Sequence, residues 1–153
     1  MAGLAEVNDE TRRTYVENIR YASQLFAKND IICLIEPINE ISIPGYFLHS
    51  YQQALEIIKE INESNLKLMF DVFHAQQICG QLTKSIVDLK SFIGHVQIAQ
   101  VPERHEPDSA GEINYEYIFK ILKENGDWDI GCEYMERGES MEYFEWMKRY
   151  ELI

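Results

Sequence analysis

The sequence predicts an α/β fold of the (β/α)-barrel type, with parallel strands and outer helices, and three observations carry that expectation. Segments with helical apolar spacing alternate four times with short apolar runs, the pattern of successive βα units. The runs at 31–36, 66–71, 94–99 and 130–134 are mostly apolar, as strands covered on both faces of a parallel sheet are. A polar residue stands at or near the end of each run: Glu36, Asp71, Gln97 and Glu133.

The elements follow in order. Over 11–29 the residues Tyr15, Ile19, Ala22, Leu25 and Phe26 recur at helical spacing, which predicts a surface helix leading into the first strand. Glu36 and Pro37 end that strand. Ser50 is placed to cap a second helix, whose stripe is Tyr51, Ala54, Leu55, Ile58 and Ile61, and 62–65 closes it with turn chemistry. The second strand runs to Asp71, and a short helical piece follows at 74–78. Thr83 is expected to cap a helix reaching Phe92, and Gly94 to open the third strand. The polar loop from Val101 precedes a helix through Tyr115, Ile118, Phe119 and Leu122. An Asn-Gly-Asp turn then leads into the fourth strand. Ser140 is read as the cap of a last amphipathic helix through Met141, Phe144, Met147 and Tyr150.

Length and charge narrow the function classes. The 153 residues suit a single domain with room for a sizeable core. Fourteen Lys and Arg stand against twenty-six Asp and Glu, for a net charge of -12, so neither nucleic acid nor an anionic membrane is an expected partner. Cys33, Cys79 and Cys132 form no CxxC pair and lie in apolar stretches, which predicts buried thiols in a reducing compartment, the cytoplasm. The chain opens with no basic segment followed by an apolar core and carries no long apolar run, so neither a targeting segment nor a membrane span is expected.

Acceptors at the ends of parallel strands converge on one rim of a β/α barrel. Three carboxylates and an amide oxygen there suit a hard divalent cation, Mg²⁺ or Mn²⁺ rather than zinc, which prefers more nitrogen or sulfur.

The motifs LIEPIN at 34–39, FDVFHAQQ at 70–77, GHVQIAQVPERHEP at 94–107, GEINY at 111–115 and GCEY at 131–134 resemble the hydroxypyruvate isomerase family of xylose isomerase-like TIM barrels. The intervals between Glu36, Asp71, Gln97 and Glu133 are similar to that family's. The resemblance covers nearly the whole chain and implies only the last four βα units of a barrel, truncated at the N-terminus, because family members are much longer and Met1-Ala2-Gly3 resembles the end of the family's fourth strand. It implies metal ligation by Glu36, Asp71, Gln97 and Glu133. The expected reaction interconverts hydroxypyruvate and 2-hydroxy-3-oxopropanoate through an enediolate, with Glu36 and Glu133 as the proton-transferring pair.

Other residues have competing readings. His74, three positions past Asp71, is placed to contact a substrate oxygen or to support a ligand, against a plain core role. His95 shares a strand face with Gln97 and is expected to pack. Arg104 is a candidate for the substrate carboxylate, against a solvated loop arginine held by Glu103 and Glu106. Glu112 is expected to orient Arg104 or its loop. Ala75 and Glu136 depart from the family pattern. The alternative functions are a catalytically inactive truncated isoform acting as a binding module, and a related ketose epimerase. Four parallel strands leave two open edges, so a homodimer that covers them is expected.

Overall fold

The computed structural model describes residues 3–136 and 145–150. It contains α1 (Asp9–Ala27), β1 (Cys33–Ile35), α2 (Tyr51–Ile61), β2 (Leu66–Asp71), α3 (Val72–Ile78), α4 (Leu82–Leu89), β3 (Ile93–Ile98), α5 (Tyr115–Asn125), β4 (Ile130–Cys132) and α6 (Glu145–Arg149). The four strands form a parallel sheet in the order β1-β2-β3-β4. The α/β class and the flanking helices are as expected. The chain divides into two compact units, Met1–Phe70 with Phe92–His95, and Asp71–Ser91 with Val96–Ile153.

In the first unit, Asn8 caps α1 by accepting from Glu10 N and Thr11 N, and Thr11 Oγ1 accepts in return from Asn8 N. Ser50 caps α2 as predicted, accepting from Gln53 N at 3.2 Å, and Asn62 ends the helix with φ 55°. α2 buries Ala54, Ile57, Ile58 and Ile61, and the strands supply Cys33, Ile35, Leu66, Leu68 and Phe70 to the same core. Tyr15 lies against Phe47 at 5.0 Å between centroids, and Tyr51 against Phe70 at 5.5 Å. Asn65 Nδ2 donates to Ser23 O and Ile31 O, at 2.9 and 3.0 Å, which ties the end of α1 and the approach to β1 to the start of β2. Ile31, Ile32 and Glu36 of the expected strand fall outside β1. Ile31 and Ile32 are 50% and 53% exposed, and Ile31 N still donates to Phe26 O. The chain is finishing the turn after α1 at that point, so the apolar run is longer than the strand.

The second unit holds α3, α4, the part of β3 from Val96 onward, and α5. Tyr115 is buried under β3, where its hydroxyl donates to Ala99 O at 2.6 Å and accepts from Ala99 N at 3.0 Å. The backbone just past the strand is thereby satisfied inside the core. Phe119 stacks on Trp146 with centroids 6.1 Å apart, and Trp146 Nε1 donates to Tyr134 Oη.

Several expectations are corrected here. Thr83 does not cap α4. The preceding position is Gln81, at φ 43° and with no side-chain cap bond, while Thr83 sits inside the helix and bonds Tyr117 Oη at 2.9 Å. β4 is only three residues long, and Ile130 and Cys132 are exposed. Of the three cysteines Cys33 alone is buried; Cys79 and Cys132 are exposed. Ser140, Met141 and Phe144 lie outside the described residues, where α6 covers Glu145–Arg149.

Candidate functional site

The site in the second unit begins at Asp71. The residue ends β2 and also caps α3, because the chain turns directly from strand into helix. One carboxylate oxygen, Oδ1, accepts from Phe73 N at 2.8 Å. The other, Oδ2, faces Arg104 Nη2 at 3.4 Å and His74 Nε2 at 3.7 Å. Asp71 is fully buried. Burial raises its pKa to about 6; the Phe73 N–H and the Arg104 guanidinium oppose that rise, and Glu133 adds to it. His74 is buried as well, and burial followed by the charge of Arg104 lowers its pKa to about 4. Its ring is therefore neutral at neutral pH, a polar but uncharged neighbour for Asp71.

Arg104 gathers the cluster. Nη2 donates to Glu133 Oε1 at 2.5 Å and Nε donates to Glu133 O at 3.2 Å. The guanidinium lies 4.8 Å from the centre of the Phe73 ring, a cation–π contact that also fixes its plane. Arg104 has φ 55°, a left-handed conformation uncommon outside glycine and a recurrent mark of functional loops. Met135 N donates to Arg104 O, and His105 Nδ1 lies 2.7 Å from Met135 O. The loop after β3 thus grips the segment that carries Glu133, and Glu133 N continues the strand pairing by donating to Ile98 O. The alternative reading of Arg104, a loop arginine held by Glu103 and Glu106, does not describe its ion pairs, which are with Asp71 and Glu133.

Gln97 lies in β3, half-buried, and its Oε1 is buried with no hydrogen-bond partner among the described residues. A buried amide oxygen left without a donor is costly in water-excluded surroundings, and a cation is one way to satisfy it. Glu36 follows β1 in the first unit, half-buried; burial, and after it the charge of Glu36, raises the pKa of Tyr46. Within the second unit Asp71 and His74 bring a carboxylate oxygen and an imidazole nitrogen together. A carboxylate and an imidazole side by side are donors that suit a divalent cation taking oxygen and nitrogen.

The sequence reading of His74 is a substrate contact or a support for a ligand, and the structure sets its Nε2 3.7 Å from Asp71 Oδ2. His95 is half-buried, and Glu112 is exposed, with its N–H donating to Val101 O. Phe73, which carries the guanidinium, and Gln100, which braces the loop, were not singled out.

Fold and cluster together define a β/α protein with an acidic site, held by an arginine, where its strands end. The chain belongs to the xylose isomerase-like TIM barrel family, whose model matches residues 1–150. It is 42% identical over 145 residues to a hydroxypyruvate isomerase of Escherichia coli, covering 94% of this chain and 55% of the relative. It is 42% identical over 154 residues to a 2-oxo-tetronate isomerase of Cupriavidus necator, covering 98% of this chain and 59% of the relative. A solved structure, an AP endonuclease of family 2 from Brucella melitensis, superimposes with a TM-score of 0.89 at 39% identity, over 97% of this chain and 58% of that one. The chain spans little more than half the length of the curated relatives it matches. Among the described residues, no helix is long and apolar enough to cross a membrane.

Proposed function

We propose that the chain contributes the catalytic rim of an isomerase acting on a small hydroxy-keto acid, with hydroxypyruvate and 2-hydroxy-3-oxopropanoate as the interconverted pair. The observation that carries this reading is the seat of Arg104. Its Nε and Nη2 are engaged by Glu133 and Asp71, while among the described residues Nη1 has no partner. N–H donors on a fixed guanidinium plane match a substrate carboxylate. The relatives' names, hydroxypyruvate isomerase and 2-oxo-tetronate isomerase, support a substrate of that class.

The reaction moves one proton between neighbouring carbons. A carboxylate removes the C3 proton of hydroxypyruvate, leaving an enediolate between C2 and C3. A proton returned to C2, with one exchanged between the two oxygens, gives the aldehyde isomer, so atoms balance without a redox partner. Glu36 and Glu133 are the residues proposed for the two transfers. A divalent cation, Mg²⁺ or Mn²⁺, held by Glu36, Asp71, Gln97 and Glu133, would supply Lewis-acid stabilisation of the developing oxyanion. His74, neutral at the working pH, offers a hydrogen bond to a substrate oxygen without competing for the cation's charge. Arg104 holds the substrate's carboxylate end away from the reacting carbons, so the two proton-transfer groups meet a fixed C2–C3 bond.

The test is turnover of hydroxypyruvate by the protein with Mg²⁺ or Mn²⁺, with Glu133→Gln as the control. Turnover abolished in the control supports the reading, and turnover that survives it removes Glu133 from the chemistry. The relative acting on a 2-oxo-tetronate favours a second reading, a four-carbon keto acid as substrate, which a direct comparison of kcat/KM separates. Preference for an uncharged ketose over both acids would instead mark an epimerase.

A further inference from the structure

Arg104 adopts a left-handed backbone at the tip of a long loop, and the source of its fixed position lies elsewhere. Gln100, just past β3, is 2% exposed. Its Oε1 accepts from Val101 N at 3.0 Å and from Ile113 N at 2.9 Å. Its Nε2 donates to Ile113 O at 2.9 Å and, at longer range, to Ser109 O and Pro107 O at 3.3 and 3.4 Å. One buried amide therefore joins the first residue of the loop to its far side. Its own backbone N–H donates to His105 O at 2.8 Å, one residue beyond Arg104.

Gly111 makes room for this brace. A Cβ at that position would lie 2.3 Å from Gln100 Cγ and 2.3 Å from Val101 O. The second contact is with backbone, which cannot swing aside as a flexible side chain can. Glu112 N closes the neck of the loop on Val101 O at 2.9 Å.

We propose that Gln100 is a positioning residue. Through its bonds across the loop it holds Arg104 in the conformation that places the guanidinium on Asp71, Glu133 and the Phe73 ring. The lever is short, because only three residues separate Gln100, whose side chain ties the loop to Ile113, from Arg104, whose Nε donates to Glu133 O. Without the amide, the carbonyls of Pro107, Ser109 and Ile113 lose a buried donor and the loop relaxes toward water. Displacement of a substrate-positioning group by about 1 Å can cost on the order of a hundredfold in rate. The consequence for catalysis rests on the proposed role of Arg104 toward a substrate carboxylate; the consequence for geometry does not.

The experiment uses the protein labelled with ¹⁵N-arginine. The Arg104 Nε–H signal is assigned by its loss in Arg104→Lys. In the unaltered protein this signal, bonded to Glu133 O, stands apart from those of solvated arginines. Gln100→Leu is expected to move it into the solvated group while far-UV circular dichroism is retained, and to raise KM for hydroxypyruvate about tenfold or more. Gly111→Ala attacks the same brace from the other side and serves if Gln100→Leu does not fold. Tyr115→Phe, which weakens the end of β3 without touching the loop amide, should leave the signal in place. A signal that stays put in a folded Gln100 or Gly111 variant overturns the proposal, as does one that moves equally in Tyr115→Phe. A moved signal with unchanged KM confirms the positioning and removes Arg104 from substrate binding. Absence of turnover in the unaltered protein refutes the isomerase reading, and the Nε–H comparison still decides the positioning.

Discussion

Asp71 caps α3 with one carboxylate oxygen and faces Arg104, 3.4 Å away, with the other. A single buried side chain thus performs a structural task and an electrostatic one, and the two can be separated by substitution. Asparagine keeps an oxygen for the Phe73 N–H and loses the charge. Asp71→Asn is expected to retain the fold and to weaken divalent-cation binding at least about a hundredfold, read by calorimetry with Mn²⁺. Asp71→Ala loses the cap as well and should be less stable than Asp71→Asn by about 1 kcal/mol in urea denaturation.

The pH dependence follows from the same pair. Asp71, with its pKa raised to about 6, must shed a proton to bind a cation once the pH is below that value, whereas His74, lowered to about 4, stays neutral down to there. Cation affinity should therefore fall about tenfold per pH unit below about 6, in proportion to the ionised fraction of Asp71. A Mn²⁺ titration series at falling pH checks the slope.

For stability without added cation the two groups oppose one another. The folded pKa of Asp71 lies above its unfolded value, so its contribution is fully present below about 3.8 and declines as pH rises to about 6. The folded pKa of His74 lies below its unfolded value, so stability is gained as pH rises from about 4 to about 6.5. The slopes largely cancel between about 4 and 6. In Asp71→Asn only the His74 term remains, and unfolding free energy should rise with pH across that window. A falling profile would contradict the burial of His74 as a neutral ring.

Arg104→Gln keeps hydrogen-bonding capacity and loses both the charge and the guanidinium fork. KM for hydroxypyruvate should rise about tenfold to a hundredfold, with a smaller change for an uncharged ketose, in steady-state kinetics. Equal losses on both substrates would place Arg104 in the support of Glu133 rather than on the substrate.

Tyr115 bonds both the N–H and the carbonyl of Ala99 from within the core. Tyr115→Phe leaves those two buried backbone groups without a side-chain partner and should cost about 1–3 kcal/mol in urea denaturation.

The parts legible in the sequence were those governed by local rules. Apolar spacing gave α1, α2 and α5 to within a few residues, and Ser50 announced its helix because an N-cap needs only a hydroxyl and a free N–H three residues on. The parallel strands and the polar residues at their ends were readable because βα alternation and apolar runs are properties of sequence order. What the sequence alone could not separate were contacts between residues far apart in the chain. Whether Arg104 met Glu103 and Glu106 or Asp71 and Glu133 depended on where the loop after β3 came to rest. Arg104 pairs with Asp71 and Glu133 where that loop, braced by Gln100, meets the segment after β4. Burial of the cysteines was misread for the same reason: Cys79 follows a helix end and Cys132 lies on a short, exposed strand, and exposure is set by what packs across an element. The sequence by itself determined which residues form helices and strands and which acceptors end the strands. Only the tertiary structure decided that Arg104, Asp71 and Glu133 form one charged cluster, because bringing them together requires the loop after β3 and the segment after β4 to fold onto each other.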